Sequence, residues 1–160
     1  MIGIIVPAHN EERHLADCIK SLIAAAHHEA LDDEGVEILI MLDDCSDGSQ
    51  LIAQSHGVGF QPCQHRNVGM TRAMGARLML ERGARWLAFT DADSVVPYGW
   101  LAEQMASEAD AVCGIVQVDD WSEHNEQVRT RYDEHYRPVD GHRHIHGANL
   151  GVSAMAYQRA

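Results

Sequence analysis

The sequence has no apolar run of membrane-spanning length, no CxxC pair, no glycine-rich phosphate loop, and only 12 Lys and Arg against 24 Asp and Glu. Each absence excludes something. A helix needs about 20 consecutive apolar residues to cross a bilayer, so no membrane-spanning segment is expected. The chain runs from Met1 straight into Ile2-Gly3-Ile4-Ile5-Val6, too short for a signal-peptide core and without its basic leader, which predicts a cytoplasmic protein. Cys18, Cys45, Cys63 and Cys113 lack zinc-finger spacing, so isolated thiols in a reducing compartment are expected rather than disulfides. The formal charge of -12 repels phosphodiester backbones and anionic lipid, which disfavours nucleic-acid binding. A small anionic ligand stays compatible where a bound cation and a few local arginines or N–H groups offset its phosphates. The first turn, Pro7-Ala8-His9-Asn10-Glu11-Glu12, carries no G-x-G-x-x-G, which leaves a dinucleotide-dependent dehydrogenase without phosphate contacts. It also has no glycine run and no basic residue before Arg13, which argues against a nucleotidyltransferase.

With internal repeats and low-complexity linkers missing too, 160 residues read as one folding unit. Apolar, β-branched runs recur at Ile2 to Val6, Val36 to Leu42, Val58 to Pro62, Trp86 to Thr90 and Ala111 to Val118. Segments of helical period separate them. Leu15, Ile19, Leu22 and Ile23 mark an amphipathic helix starting near Asn10, and a second helix begins around Ser46 to Ser49. A third carries Met70, Met74, Arg77 and Leu78 before Gly83 stops it, and Pro97 opens a fourth that runs to about Ser107. The polar stretch from Trp121 to Tyr136 is mildly helical, and His142 to Val152 reads as a late strand of mixed direction. The alternation predicts an α/β fold: a mostly parallel sheet flanked by helices.

In an open parallel sheet, ligands bind outside the carboxyl ends of the strands. Here those ends are polar and acidic: Pro7 to Glu12 after the first strand, Asp43-Asp44-Cys45-Ser46-Asp47-Gly48-Ser49 after the second, Asp91-Ala92-Asp93 after the fourth. Singly, each has an ordinary explanation, since Asn10, Asp47 and Ser49 are helix-cap types and Asp43 is a turn type. Asp91 and Asp93 are harder to dismiss. Alternate residues leaving a strand point the same way, and two neighbouring carboxylates repel unless a cation neutralises them. Hard oxygen ligands suit Mg²⁺ or Mn²⁺.

The ordered set of Pro7 to Glu11, Asp43 to Ser49 and Asp91 to Asp93 resembles glycosyltransferase family 2. Arg66-Asn67-Val68-Gly69 with Arg72 and Gly75, and His146-Gly147-Ala148-Asn149, extend the likeness over nearly the whole chain. The resemblance implies a GT-A, Rossmann-like fold and transfer of a sugar from a nucleotide-diphosphate sugar, most commonly a UDP-sugar, to an acceptor hydroxyl, with inversion. It implies a base and ribose pocket formed by Pro7, Ala8, Glu11 and an Asp of the second loop, Asp44 before Asp43. Asn67 and Gly69 follow as secondary pocket residues and Arg72 as a phosphate contact. Asp93 becomes the ligand of a Mn²⁺ or Mg²⁺ ion, and Asp91 a ribose contact or a partner in the metal's water shell. On this pattern residues 1–118 form the donor-binding part and 119–160 the start of an acceptor part.

The resemblance puts the general base beyond Ala160, so the chain is expected to be truncated; within it, Asp119 and Asp120 are weak candidates. A non-catalytic nucleotide-sugar-binding domain is the alternative. A sheet edge left open by an unfinished acceptor part would favour a homo-oligomer. On a strand, His142, His144 and His146 would share one face, which is a zinc-ligand arrangement, but the resemblance places no zinc there.

Overall fold

The chain is described by a computed structural model covering residues 1–118, 121–122, 125–136, 139, 141–142 and 144–160, with the backbone alone at Asp133. Among these residues the apolar runs form one six-stranded sheet in the order β3-β2-β1-β4-β6-β5. Its strands are β1 (Ile2–Ala8), β2 (Val36–Asp43), β3 (Gly59–Cys63), β4 (Trp86–Phe89), β5 (Ala111–Cys113) and β6 (Leu150–Ser153). β1 pairs in parallel with β2 and β4, and β2 with β3. β6 runs antiparallel to both β4 and β5. The helices are α1 (Leu15–Ala26), α2 (Ser49–Ser55), α3 (Val68–Glu81), α4 (Trp100–Ala106), α5 (Glu126–His135) and α6 (Ala154–Arg159).

Both faces of the sheet are covered, which explains the nearly unbroken apolar runs. Ile4, Val6, Ile38, Ile40 and Ala88 point to one face and pack with Leu15, Ile19 and Leu22 of α1 and Trp100 and Leu101 of α4. The intervening Ile5, Leu39, Met41, Leu87 and Phe89 point to the other, against Ala76 and Met79 of α3. α3 comes very close to the sheet at Gly75, where a Cβ would stand 2.6 Å from Ile5 Cγ2 and 3.0 Å from Met41 Cγ.

Two predicted strands are shorter than read. β5 stops at Cys113 because the backbone beyond it is held by side chains instead of a ladder: Asn149 Nδ2 donates to Ile115 O, Val116 N–H donates to Tyr136 Oη, and Tyr132 Oη donates to Val116 O. The late strand begins only at Leu150, because His146 to Asn149 form a turn closed by Asn149 N–H to His146 O at 3.1 Å. Its mixed direction is as predicted. No described helix is long and apolar enough to cross a membrane.

Candidate functional site

The loops leaving β1 and β2 are stitched together at the carboxyl edge of the sheet. Asn10 Oδ1 accepts the Ser46 N–H at 2.8 Å, Ser49 Oγ accepts the Glu11 N–H at 3.0 Å, and Asp47 Oδ2 accepts the Glu12 N–H at 2.9 Å. Glu12 Oε2 returns the favour by accepting the Gly48 N–H at 2.8 Å. Cys45 Sγ donates to Ala8 O at 3.3 Å. The residues that looked like helix caps therefore tie one loop to another. This is also why α1 begins at Leu15 instead of near Asn10: the preceding backbone is committed across the loop pair, and only Glu11 O starts the turn, accepting from Leu15 N–H.

Asp43 is the hub of the second loop. Its side chain is buried, and its two oxygens accept four hydrogen bonds: from the N–H groups of His65 (2.6 Å), Arg66 (2.9 Å) and Asn67 (3.1 Å), and from Thr71 Oγ1 (2.8 Å). Burial works to raise this carboxyl, but the donors from Arg66, Thr71, His65 and Asn67 together outweigh it and hold the group at about 2. Next to it, Asp44 sits in the left-handed backbone region at φ 52° and pairs with the exposed Arg66, itself at φ 47°. Asn10 is left-handed as well, at φ 58°. Three such residues around one edge are held by the surrounding bonds, and such strain gathers at binding sites.

Across the cleft, Asp91 pairs with Arg72 of α3, and both are only partly exposed. Asp93 is exposed. Beneath them Cys18 Sγ donates to Asp91 O, and its thiol is pushed up to about 12 by burial and then by the charges of Asp93 and Asp91. Glu11 is also raised, by burial first and Asp93 second. Asp91 and Asp93 do not continue β4 as an extended strand. They form a turn, with Ser94 N–H donating to Asp91 O, so the alternation argument for their shared direction does not apply, although both face the same cleft.

That cleft has a volume of about 930 Å³ and is walled by Pro7 to Glu11, Asp43 to Ser46, Arg66 to Val68, Thr71, Arg72 and Asp91 to Asp93. Five carboxylates face two guanidiniums. The N-terminus of α3 opens onto it through Val68 and adds a positive dipole end. A profile of the family described as Glycosyl transferase family 2 matches residues 3–156. The chain belongs to glycosyl transferase family 2.

Solved glycosyltransferases share the fold. The Pyrobaculum calidifontis mannosyltransferase PcManGT, in complex with GDP-Man and Mn²⁺, superposes with a TM-score of 0.68 at 16% identity, over 99% of this chain and 46% of that one. Residues 1–349 of TarS from S. aureus, with UDP-GlcNAc, give 0.62 at 15% identity over 99% and 47%. Glucosyl-3-phosphoglycerate synthase from Mycobacterium tuberculosis, with Mn²⁺ and UDP-Glc, gives 0.57 at 16% identity over 96% and 56%. The chain thus spans about half the length of these structures. A search of curated proteins by sequence finds no match.

Among the residues nominated from the sequence of this family 2 member, the cleft gathers Pro7, Ala8, Glu11, Asp43, Asp44, Asn67, Arg72, Asp91 and Asp93. Gly69 does not line it. A Cβ there would stand 3.3 Å from Asn67 Oδ1, the atom that caps α3 by accepting the Met70 N–H at 3.0 Å. Gly69 therefore leaves room for the cap. Asp119 and Asp120 lie outside the described residues. His9, Asn10, Cys45, Ser46 and Thr71 also wall the cleft and were not nominated. Their only signal is their position within or beside the motifs. His142, His144 and His146 are not on a strand; the His144 ring stacks with those of His142 and His146, and Tyr136 meets His144 at a tilt and His146 edge-on. Among the described residues no group of three His, Cys, Asp or Glu is arranged to hold a metal ion.

Proposed function

We propose that the protein binds a nucleotide-diphosphate sugar in this cleft, as the donor of a metal-assisted, inverting transfer to an acceptor hydroxyl. The observation that carries the reading is the convergence of four separate stretches, Pro7 to Glu11, Asp43 to Ser46, Arg66 to Val68 with Thr71 and Arg72, and Asp91 to Asp93, on one cavity at the carboxyl ends of β1, β2 and β4. The cavity falls in the range of ordinary small-ligand sites. Residues 1–118 supply its walls, and 119–160 begin the acceptor side.

Asp44 is the base contact in this reading. The Asp43 carboxylate already accepts from four donors, whereas the Asp44 carboxylate meets only Arg66 among the hydrogen bonds and ion pairs of the described residues. Pro7, Ala8 and Glu11 complete the base and ribose pocket. Arg72 and the α3 N-terminus answer the charge of the diphosphate.

Asp93 and Asp91 offer hard oxygen ligands, and their charges reach the buried Cys18 thiol together. Two carboxylates are what Mg²⁺ or Mn²⁺ takes from a protein when phosphates and water fill its other positions. The missing third protein ligand among the described residues accords with a cation that binds together with the donor. When bound, the ion supplies Lewis-acid stabilisation of the departing nucleoside diphosphate. The chain's own groups orient the donor: Asp44 at the base, Glu11 at the ribose, Arg72 at the phosphates. A carboxylate must take the acceptor's proton. Asp119 and Asp120 are this chain's own candidates. Free thiols at Cys18, Cys45, Cys63 and Cys113 accord with a reducing, cytoplasmic setting.

Calorimetric titration of UDP and GDP, with and without Mn²⁺, on the parent and on Asp93→Ala tests this. One nucleotide binds the parent only with metal, and the substitution abolishes binding. Equal affinity without metal overturns the metal role, and no binding of either nucleotide overturns the donor reading. A transfer assay then decides between an enzyme and the second reading, a domain that binds donor without turnover. That reading is favoured by the roles already given to the cleft carboxylates, Asp43 to the scaffold, Asp44 and Glu11 to the nucleoside, and Asp91 and Asp93 to the metal.

A further inference from the structure

The turn between α5 and β6 touches the donor cleft through a residue with no side chain. A Cβ on Gly147 would stand 2.5 Å from Arg72 Cζ, 2.5 Å from Nη1 and 2.8 Å from Nη2. An approach along the guanidinium edge would leave Cζ farther away than the nitrogens, so Gly147 lies over the face of the group. Nothing but a hydrogen fits between them.

The turn itself is anchored. Asn149 N–H donates to His146 O at 3.1 Å, and Gly114 N–H donates to Asn149 O at 2.9 Å. The Asn149 side chain accepts from Trp100 Nε1 at 2.8 Å and donates to Ile115 O at 2.9 Å, which clamps the turn to α4 and to the exit of β5. Leu150 pairs with Phe89, two residues before Asp91. On the far side, Arg72 Nη2 donates to Asp91 Oδ1, and Arg72 Nε is buried with no hydrogen-bond partner among the described residues. The guanidinium is thus confined between a fixed backbone and one carboxylate.

We propose that Gly147 is a positioning residue: its bare backbone is the seat of the Arg72 guanidinium, and through it the turn at 146–149 sets where the Arg72–Asp91 pair stands in the cleft. The consequence for binding rests on the reading of Arg72 as the diphosphate contact. A side chain at Gly147 would meet the free end of a flexible arginine and not a packed core. The arginine swings away, the pair with Asp91 breaks, and the fold survives.

The test is a double-mutant cycle of Gly147→Ala and Arg72→Ala, read by titration of UDP and GDP with Mn²⁺. Gly147→Ala is expected to weaken nucleotide binding about tenfold or more, close to the loss in Arg72→Ala, and to cause no further loss in the Arg72→Ala background. Parent-like affinity in Gly147→Ala, or the same factor in both backgrounds, overturns the inference. Should Gly147→Ala fail to fold, the double variant must fold, because the overlapped atoms are gone; its failure also overturns the inference. If neither nucleotide binds the parent, the donor reading falls and the seat is judged alone. The readout is then the ¹H–¹⁵N signal of Arg72 Nε, identified by its loss in Arg72→Ala: displacement in Gly147→Ala supports the seat, and an unmoved signal refutes it.

Discussion

Asp43→Asn is the substitution that most directly probes how the cleft is built. The carboxylate accepts two donors on each oxygen, from His65 and Arg66 on one and from Asn67 and Thr71 on the other. An amide has one oxygen, so whichever way it rotates, two donors face an NH₂ group. Hydrogen bonds to a charged group are worth about 1.5–3 kcal/mol each, so losing two costs roughly 4 kcal/mol. At about 2–4 °C per kcal/mol for a domain of this size, Tm falls by about 8–16 °C. The pH dependence sharpens the test. The folded-state carboxyl is held at about 2, below its ordinary 3.8. Its stabilising contribution is therefore fully present above the unfolded value and is lost as pH falls through the folded one. The shift corresponds to about 2 kcal/mol, so the stability gap between parent and variant narrows by that amount between about pH 5 and pH 2. Thermal melts of both proteins across that range measure it. A variant that melts within about 2 °C of the parent at pH 7, or a gap that ignores pH, refutes the assignment of Asp43 as an ionised hub.

Arg66→Ala should behave oppositely: its pair with Asp44 is solvent-exposed, so urea denaturation is expected to shift by less than about 1 kcal/mol. Asn149→Ala strips the buried Trp100 Nε1–H of its acceptor and frees the 146–149 turn, costing about 1–3 kcal/mol by denaturant melt; an unchanged midpoint would count against the clamp. Gly75→Val forces a Cβ into Ile5 and Met41, adds two methyl groups beyond it, and should destabilise by about 3 kcal/mol in a denaturant melt although it removes a helix-interior glycine. Asp47→Ala removes the acceptor of the Glu12 and Ser49 N–H groups, so hydrogen exchange at those two amides should accelerate while the amides of β1 stay protected.

Much of this architecture was legible in the sequence, and for a definable reason. A strand buried on both faces must be apolar at every position, so Ile2 to Val6, Ile38 to Leu42 and Trp86 to Phe89 announce themselves, and Leu15, Ile19 and Leu22 disclose the face α1 buries. Where each strand ends, polar motifs begin, and an open parallel sheet brings those ends to one edge. Local order along the chain was enough to establish the fold class, the family resemblance and the edge where the cleft lies. Only the folded chain decided the rest. Whether a side chain serves the ligand or the scaffold depends on partners distant in sequence: Asp43 and Asp44 are adjacent and chemically identical, yet one is buried among four donors and the other stands at the rim. Asn10, Asp47 and Ser49 read as caps until the two loops met, the end of β5 was set by the side chains of Tyr132, Tyr136 and Asn149, and the start of β6 was set by the backbone turn from His146 to Asn149. Gly147 carries no chemical signal of its own, and its importance arises from the empty space it leaves for a guanidinium 75 positions earlier in the chain. Periodicity reports which faces are buried; contact between remote segments, which no local pattern encodes, determines what each polar group is for.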